Sequence, residues 1–439
     1  LSYDAPALDR LHIPEYNWWN ECLHGVARAG VATMFPQPIG MAASFDAKRL
    51  GEIASIIGDE ARIKHRAADE MDDHGIYKGL TMWTPNINLF RDPRWGRGHE
   101  TYGEDPCLTA RMGVSFIRGL QGDDPRYDKC VATAKHFAVH SGPEAERHTF
   151  DVHPSKRDMA ETYLPAFRAA VQEGHVHSVM GAYNRVNGKA ACASDELLQK
   201  TLREEWGFDG YVVSDSEAVE YVHTKHAVAE TYEEAVRQVL EAGLNVRTNF
   251  SPPARFILPV RKLVEEGCLS MEVVDQRVRE VLRVKFRLGL FDDPYNDPEE
   301  AVAQAGADKH ADFVLDIQRQ SLVLLKNEDK ILPLDKKKTA RVLVAGPLAD
   351  EDNFMVSRYG PNDLPTGTVL DGIRNYLGDA AEVRYAKGCD VVDAGFPDSE
   401  LAPGPLTAAE RAGIDEAVKQ AAGCDVIVAV LGEDDKRVG

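Results

Sequence analysis

Between residues 1 and 300 the chain alternates short apolar runs with longer amphipathic segments, and this rhythm constrains the fold more than any other feature. The strand candidates are Leu80–Asn88, Cys130–Ala138, His177–Asn184, Gly210–Asp215 and Leu244–Asn249. Helical patterns lie between them, over Asp46–Asp72, Pro106–Gln121, Ser155–Glu173, Ser194–Trp206, Thr231–Ala242 and Ser270–Leu288. Ser155, Ser194 and Thr231 stand where helix caps are expected, and Gly122, Gly174, Gly207 and Gly243 where helices close. Strand–helix alternation at this pitch predicts βα units around a parallel sheet.

Polar residues gather at the C-terminal ends of the apolar runs. Lys135 and His136 end one, Tyr183 and Asn184 follow another, Asp215 ends a third, and Arg247 and Asn249 a fourth. Those ends form the catalytic face of a (β/α)8 barrel. A single polar ending is ordinary loop chemistry; several rich in ionisable groups point to a shared site.

Composition removes whole classes. With 44% hydrophobic and 28% charged residues the chain is not disordered, collagen-like or a coiled coil. No apolar run approaches the roughly 18 residues of a membrane-spanning helix. The net charge of −20 disfavours nucleic acid and anionic membrane surfaces as partners and is compatible with a neutral substrate. Seven cysteines without a CxxC pair exclude a zinc ribbon or disulfide scaffold, and are expected mostly as small buried hydrophobes. The chain starts at Leu1 without a signal peptide, which is read as a removed leader or a missing N-terminus.

The Pro/Asp-rich stretch Phe291–Pro298 marks a boundary. Residues 1–300 are expected as a barrel and 301–340 as a linker and entry to a second domain. Within the linker, Ala301–Asn327 reads as a helix ending in a strand-like run, Ser321–Leu325. Residues 341–439 read as the first part of a further α/β domain, with strands at Arg341–Ala345 and Asp425–Leu431 and a helix at Thr407–Ala421.

Four segments carry candidate chemistry. In WGFDGYVVSDSEAV (Trp206–Val219) a strand delivers Asp215 between Ser214 and Ser216, small neighbours that leave room for a reacting atom. That suits a nucleophile or base; a helix cap is the plainer alternative. In AKHFAVHSGPEAERHTFD (Ala134–Asp151) Lys135 and His136 are adjacent, and on a regular strand would face opposite sides. A bend at the strand end would bring both to the rim. His140, His148 and Asp151 match no zinc signature, so no metal is expected. RDPRWGRGHETYGEDP (Arg91–Pro106) lacks GxGxxG spacing, which removes the dinucleotide reading and leaves Arg and Trp suited to sugar hydroxyls and faces. NWWNECLHG (Asn17–Gly25) sets Trp18 and Trp19 beside Glu21, again suited to carbohydrate, with one Trp expected in the core.

Taken together and in order, WWNECLHG, FPQPIGMAASFD, PNINLFRDPRWGRGHETYGEDP, AKHFAVHSGPEAERH, VMGAYNRVNG, LREEWGFDGYVVSDSEAV, VLRVKFRLGLFD and SLVLLKNEDKILPL resemble glycoside hydrolase family 3 over nearly the whole chain. The resemblance implies a (β/α)8 TIM-type barrel followed by an α/β sandwich, here in part. It places the nucleophile of a retaining mechanism on Asp215 and sugar contacts on Glu21, Arg97, Lys135, His136, Arg147, Met180 and Tyr183. The two catalytic carboxyl groups would stand about 5–5.5 Å apart. The acid/base is typically a Glu of the second domain. GEDDKRVG (Gly432–Gly439) matches the approach to that motif, and Glu433 lies upstream of the expected position. The chain is accordingly expected to be a piece of a longer polypeptide, whose remainder could form a second chain.

Ser216, where many family β-glucosidases have Trp, and Glu21, where many have Asp, resemble the β-xylosidase branch. The implied activity is exo-acting β-xyloside hydrolysis, with β-glucoside close behind, on oligosaccharides or aryl and alkyl β-glycosides. No cofactor, metal, nucleic acid or membrane partner is implied. A homo-oligomer stays open, and a periplasmic or secreted location follows only from the substrate type. The alternative is a carbohydrate-binding pseudoenzyme, or one chain of a split enzyme.

Overall fold

The computed structural model describes residues 3–292, 308–352, 357, 359–362, 367–396, 399 and 402–433. The chain divides into two units. The first comprises Leu1–Leu322 with Tyr359–Asn362, the second Val323–Arg358 with Asp363–Gly439. The expected break at Phe291–Pro298 and the expected linker start at Ala301 lie largely outside the described residues, as does most of Gly432–Gly439.

The first unit is a (β/α)8-like barrel. Four parallel strands are hydrogen-bonded side by side: β1 (Thr81–Met82), β2 (Val131–Phe137), β3 (Ser178–Gly181) and β4 (Tyr211–Ser214). Single parallel bridges, Asn20 to Met82 and Val213 to Val246, extend the array on both sides. Every residue of the four strands is buried, as expected where helices cover a parallel sheet. The barrel axis is packed rather than open. Thr81, Thr133 and Ser178, one from each of three strands, surround the Tyr211 hydroxyl, and burial pushes that phenol up to about 12. Trp18 closes on Tyr211 with ring centroids 5.0 Å apart.

The helices form where caps and amphipathic spacing direct them. α1 (Ala47–Glu70) starts at Asp46, whose side chain accepts from the Arg49 N–H at 3.0 Å. α2 (Pro106–Gln121) starts at Asp105 with Pro at its first position and closes at Gly122. α1 and α2 pack closely because glycines meet there. A Cβ on Gly119 would come within 2.2 Å of the Gly51 carbonyl oxygen. The expected Ser155–Glu173 helix is real but not uniform. It opens with a Ser155–Asp158 capping box, winds as a π-helix over Met159–Tyr163 and resumes as α3 (Pro165–Gln172). Glu196–Glu205 is also π-helical. α4 (Ala218–Thr224), α5 (Tyr232–Ala242), α6 (Ala254–Glu265), α7 (Met271–Arg287) and α8 (Asp308–Ser321) follow.

The expected strand Leu244–Asn249 is reduced to bridges beside β4, held by main chain: the Asn245 and Val246 N–H groups donate to the Val212 carbonyl at 2.9 and 3.1 Å, and the Ser214 N–H donates to the Val246 carbonyl at 2.9 Å. The Asn245 side chain adds to this: its Oδ1 accepts from the Val212 N–H at 2.8 Å and from Arg203 at 3.0 Å. Its amide nitrogen donates to the Arg277 carbonyl and to Glu280.

The second unit holds a three-stranded parallel sheet in the order β6 (Glu382–Ala386), β5 (Arg341–Ala345), β7 (Val426–Ala429). α9 (Val369–Leu377) and α10 (Ala408–Ala421) accompany it, α10 opening on a Thr407–Glu410 capping box. Ser321–Leu325 is not a strand. Ser321 ends α8, and Leu322–Leu325 are exposed, with no partner strand among the described residues to complete their hydrogen bonds. Cys22, Cys130 and Cys192 are buried as expected, while Cys107 and Cys268 are exposed.

Asn245 gives a direct test of this account. Asn245→Ala leaves Arg203, Glu280 and the Val212 N–H short of partners at a buried position. Urea denaturation is expected to show a loss of about 3 kcal/mol, since each orphaned buried polar group costs roughly 1–3 kcal/mol. A loss below about 0.5 kcal/mol, the size of an ordinary surface substitution, would contradict it.

Candidate active site

The strand ends converge on one pocket in the first unit. Asp215 follows β4, and its N–H donates to the Gly181 carbonyl at the end of β3 at 3.1 Å. Glu217, two residues on, takes a left-handed φ of 62° and turns the chain into α4. The Asp215 carboxylate is buried at its base. Oδ1 accepts from the Ser216 N–H at 2.7 Å. Oδ2 has no well-formed hydrogen bond among the described residues; His136 Nε2 stands 3.5 Å away and the Tyr183 side chain lies beside it. Burial and the Asp215 charge together push the Tyr183 phenol far up, so it is a neutral donor.

Lys135 and His136 both enter the site, although they are sequence neighbours. The β2–β3 pairing slips between Ala134 and Phe137, and the Lys135–His136 and Phe137–Ala138 peptides are cis. His136 is fixed by Asn88. Asn88 Oδ1 accepts from the His136 backbone N–H at 2.7 Å and from ring Nδ1 at 2.9 Å. Nε2 then carries the lone pair and accepts from Arg97 at 3.0 Å. Burial and the Arg97 guanidinium hold His136 well below its usual range, so the ring is neutral.

Arg97 is the hub. It grips Glu100 with two bonds of 2.8 Å while reaching His136 with its third nitrogen. Burial alone would raise Glu100, but the charge and hydrogen bonds of Arg97, with the charges of Lys135 and His99, together hold the carboxyl down at about 2. A second buried pair, Lys135 Nζ to Glu21 at 3.1 Å, lines the same pocket. There burial dominates and pushes Glu21 up to about 7 despite Lys135. Arg147 is half-buried, paired with Glu144 at 3.0 Å and set over the Tyr183 ring at 5.6 Å.

The structure thus brings Asp215, His136, Arg97 and Tyr183 together directly, and joins Arg147 through Tyr183 and Lys135 to Glu21. Met180 is buried in β3, one residue before the Gly181 carbonyl that holds Asp215, and pairs in register with Val213. Several partners were not singled out beforehand. Glu100 was signalled by its i,i+3 spacing from Arg97, and Asn88 by ending the first apolar run. Tyr359 sits at the Lys135 amine, 5.1 Å from its ring centroid, in a stretch without periodicity. Other expectations divide. Trp18 is core, Trp19 is half-buried and stacked on Trp83, and Trp95 is buried against His140 rather than offered to a sugar. Arg247 is spent on Glu220 of α4 at 2.6 Å.

Ligand atoms of His136, His140 and Asp215 lie within 4.8 Å of one another, a donor set that could be asked to hold a metal. His148 and Asp151 are not part of it. Arg97 already donates to His136 Nε2, so that lone pair is engaged.

Residues 5–284 match the glycosyl hydrolase family 3 N terminal domain and residues 322–438 its C-terminal domain. The chain belongs to glycosyl hydrolase family 3. It is 40% identical over 420 residues to a xylan 1,4-beta-xylosidase of Xylanibacter ruminicola, covering 94% of this chain and 48% of the relative. A β-glucosidase structure from Erythrobacter marinus superposes with a TM-score of 0.82 at 32% identity, covering 97% of this chain and 55% of that one. An exo-β-xylosidase of family 3 bound to a xylobiose aziridine probe gives a TM-score of 0.82 at 28% identity, over 99% and 54%. The chain spans about half the length of the curated relatives it matches.

The Arg97–Glu100 pair carries a pH signature. Glu100 is held near 2 in the fold against 4.5 as its ordinary value. Its stabilisation is therefore complete above the ordinary value and lost as pH falls toward the folded one. Glu100→Gln strands a buried guanidinium and is expected to cost about 3–5 kcal/mol at neutral pH. The gap in melting temperature from wild type should narrow as the buffer is taken from about pH 7 to about pH 3. A constant gap across that range would refute the assignment.

Proposed function

We propose that this pocket binds the terminal sugar of a β-linked glycoside, and that the whole protein is a retaining exo-β-glycosidase favouring β-xylosides, with β-glucosides next. The observation that carries the reading is Asp215 itself: one carboxylate oxygen accepts from a backbone N–H, and the other is buried beside His136 and Tyr183 without a well-formed hydrogen bond of its own. A nucleophile needs such a free, oriented oxygen.

The chemistry proceeds in two displacements. Asp215 Oδ2 attacks the anomeric carbon, the bond from that carbon to the aglycone oxygen breaks, and the leaving oxygen takes a proton from the whole protein's acid/base carboxyl. Water then attacks the same carbon while giving a proton back to that carboxylate, the bond to Asp215 breaks, and both carboxyl groups return to their starting forms. Two inversions give net retention. Tyr183, Arg97 and Lys135 present donors to the hydroxyls. His136 contributes position. Its proton sits on Nδ1 toward Asn88 and its Nε2 lone pair accepts from Arg97, so it neither protonates Asp215 nor competes for the proton of the leaving group.

The names of the relatives support the xyloside preference. Glu21 supports it physically: a longer acid than Asp, clamped by Lys135, occupies volume at the pocket wall.

The test is hydrolysis of p-nitrophenyl β-xyloside and β-glucoside by wild type and Asp215→Ala. Nitrophenolate leaves with little protonation, so the first displacement is read without the acid. Wild type is expected to release nitrophenolate faster from the xyloside, and Asp215→Ala to lose at least about 1,000-fold, in the range of losing a covalent nucleophile. Undiminished release by Asp215→Ala would remove Asp215 from this role. Sugar binding without any release, even in a single-turnover burst, would favour a binding-only protein.

A further inference from the structure

We infer that Tyr359 is a specificity-determining wall of the sugar pocket, excluding substituents on C5 of the bound ring and so selecting a pentose over a hexose. The inference rests on the glycosidase reading above and extends it to a residue far along the chain from the barrel motifs.

Tyr359–Asn362 belongs to the first unit, although the chain on both sides of it belongs to the second. Two backbone bonds hold it there. The Arg28 N–H donates to the Gly360 carbonyl at 3.1 Å, and the Asn362 N–H donates to the Gly30 carbonyl at 3.2 Å. Between these bonds the buried Pro361 ring packs on Gly25. A Cβ at Gly25 would stand 3.0 Å from Pro361 Cγ and 2.4 Å from the Thr33 carbonyl oxygen, so the contact needs glycine. Gly25 also has a φ of 147°, which disfavours a side chain independently. The segment is thus docked by main chain on both sides of a proline, which fixes where Tyr359 projects.

Tyr359 projects into the charged wall of the pocket. Its ring lies 5.1 Å from Lys135 Nζ and 6.0 Å from the Arg28 guanidinium, both within cation–π range. The fields of Arg97, Glu21, Glu100 and Asp215 all reach it, that of Asp215 least. Tyr359 and Glu21 therefore flank Lys135 together at one end of the pocket, and Asp215 with His136 and Tyr183 forms the other.

This arrangement has a stereochemical consequence. Asp215 acts on C1, so the end of the pocket away from Asp215 meets the far side of the ring, at C4 and C5. A xylosyl ring carries only hydrogen at C5 beyond the ring bonds. A glucosyl ring carries a hydroxymethyl group there. A flat aromatic ring, docked by backbone and tethered by two cations, cannot swing aside as a lone flexible side chain would. One excluded carbon is worth about 10-fold to 200-fold in discrimination at an apolar wall.

The experiment measures kcat and KM for p-nitrophenyl β-xyloside and β-glucoside, together with inhibition by free xylose and free glucose. The proteins are wild type, Tyr359→Ala, Tyr359→Leu and Tyr359→Phe in the full polypeptide, with thermal melts on each. Tyr359→Ala is expected to raise the glucoside-to-xyloside ratio of kcat/KM at least about tenfold. The gain should come through a lower KM for the glucoside, with glucose inhibition tightening in parallel. Tyr359→Phe keeps the wall and should keep the wild-type ratio of glucoside to xyloside kcat/KM. Tyr359→Leu should fall between them and carries the test if the alanine variant melts early. An unchanged ratio in both the Ala and Leu variants would overturn the proposal while leaving the glycosidase reading intact. If wild type itself hydrolysed neither substrate, both would fall together.

Discussion

The bidentate grip of Arg97 on Glu100 is the contact on which the site depends. A guanidinium buried this deeply is tolerable only if its charge is balanced and its donors are used. Glu100 supplies the balance and takes two nitrogens; His136 takes the third. Because Arg97 donates to Nε2, the ring must be neutral with its proton on Nδ1, and Asn88 accepts that proton's hydrogen bond. One ion pair thus sets an arginine, a tautomer and the lining next to Asp215. The barrel makes the pair affordable: Arg97 and Glu100 come from the loop after β1, His136 from β2, Tyr183 from β3 and Asp215 from β4, and adjacent parallel strands bring them within bonding distance.

The two buried ion pairs of the pocket behave differently, and geometry explains the contrast. Arg97 meets Glu100 through a planar fork at 2.8 Å, so attraction overcomes burial and the acid is held low. Lys135 meets Glu21 through a single ammonium at 3.1–3.3 Å with Glu100 nearby, so burial wins and the acid is pushed up. The first pair is a fixed strut. The second is a charge that a sugar hydroxyl can rebalance, which is the property a binding subsite needs.

Much of this was legible in the sequence. The run 210–215 became β4 with Asp215 at its tip because a strongly apolar stretch ending in an acid has few other solutions in a parallel sheet. Asp105 and Thr231 opened helices because their side chains accept from first-turn N–H groups that have no partner within the helix, and Pro106 lacks the N–H that would go unpaired at its position. Other features depended on tertiary contacts that local pattern does not encode. Leu244–Asn249 read as a strand, yet it pairs with β4 only through bridges, with both the Asn245 and Val246 N–H groups turned to the Val212 carbonyl and the Asn245 side chain taking the Val212 N–H. Ser321–Leu325 has the composition of a strand, and composition does not supply a partner. Lys135 and His136 had the right identity for the site, while the slip in β2 that turns both inward is invisible to a two-residue alternation rule. Tyr359 was out of reach altogether, because nothing local ties residue 359 to Gly25, 334 positions earlier by simple subtraction of their numbers.

That last contact bears on how such a chain could be recombined. The first unit's contacts reclaim Tyr359–Asn362 from the middle of the second unit's sequence. The two units are therefore not interchangeable cassettes joined at Leu322. A crossover placed there would import a foreign residue opposite Lys135 and a foreign ring, or none, opposite Gly25. Gene fusions that respect the visible junction would still alter the pocket, and those that carry Tyr359–Asn362 with the barrel would not. The unit of inheritance for this site is the barrel plus four residues that the linear map assigns elsewhere.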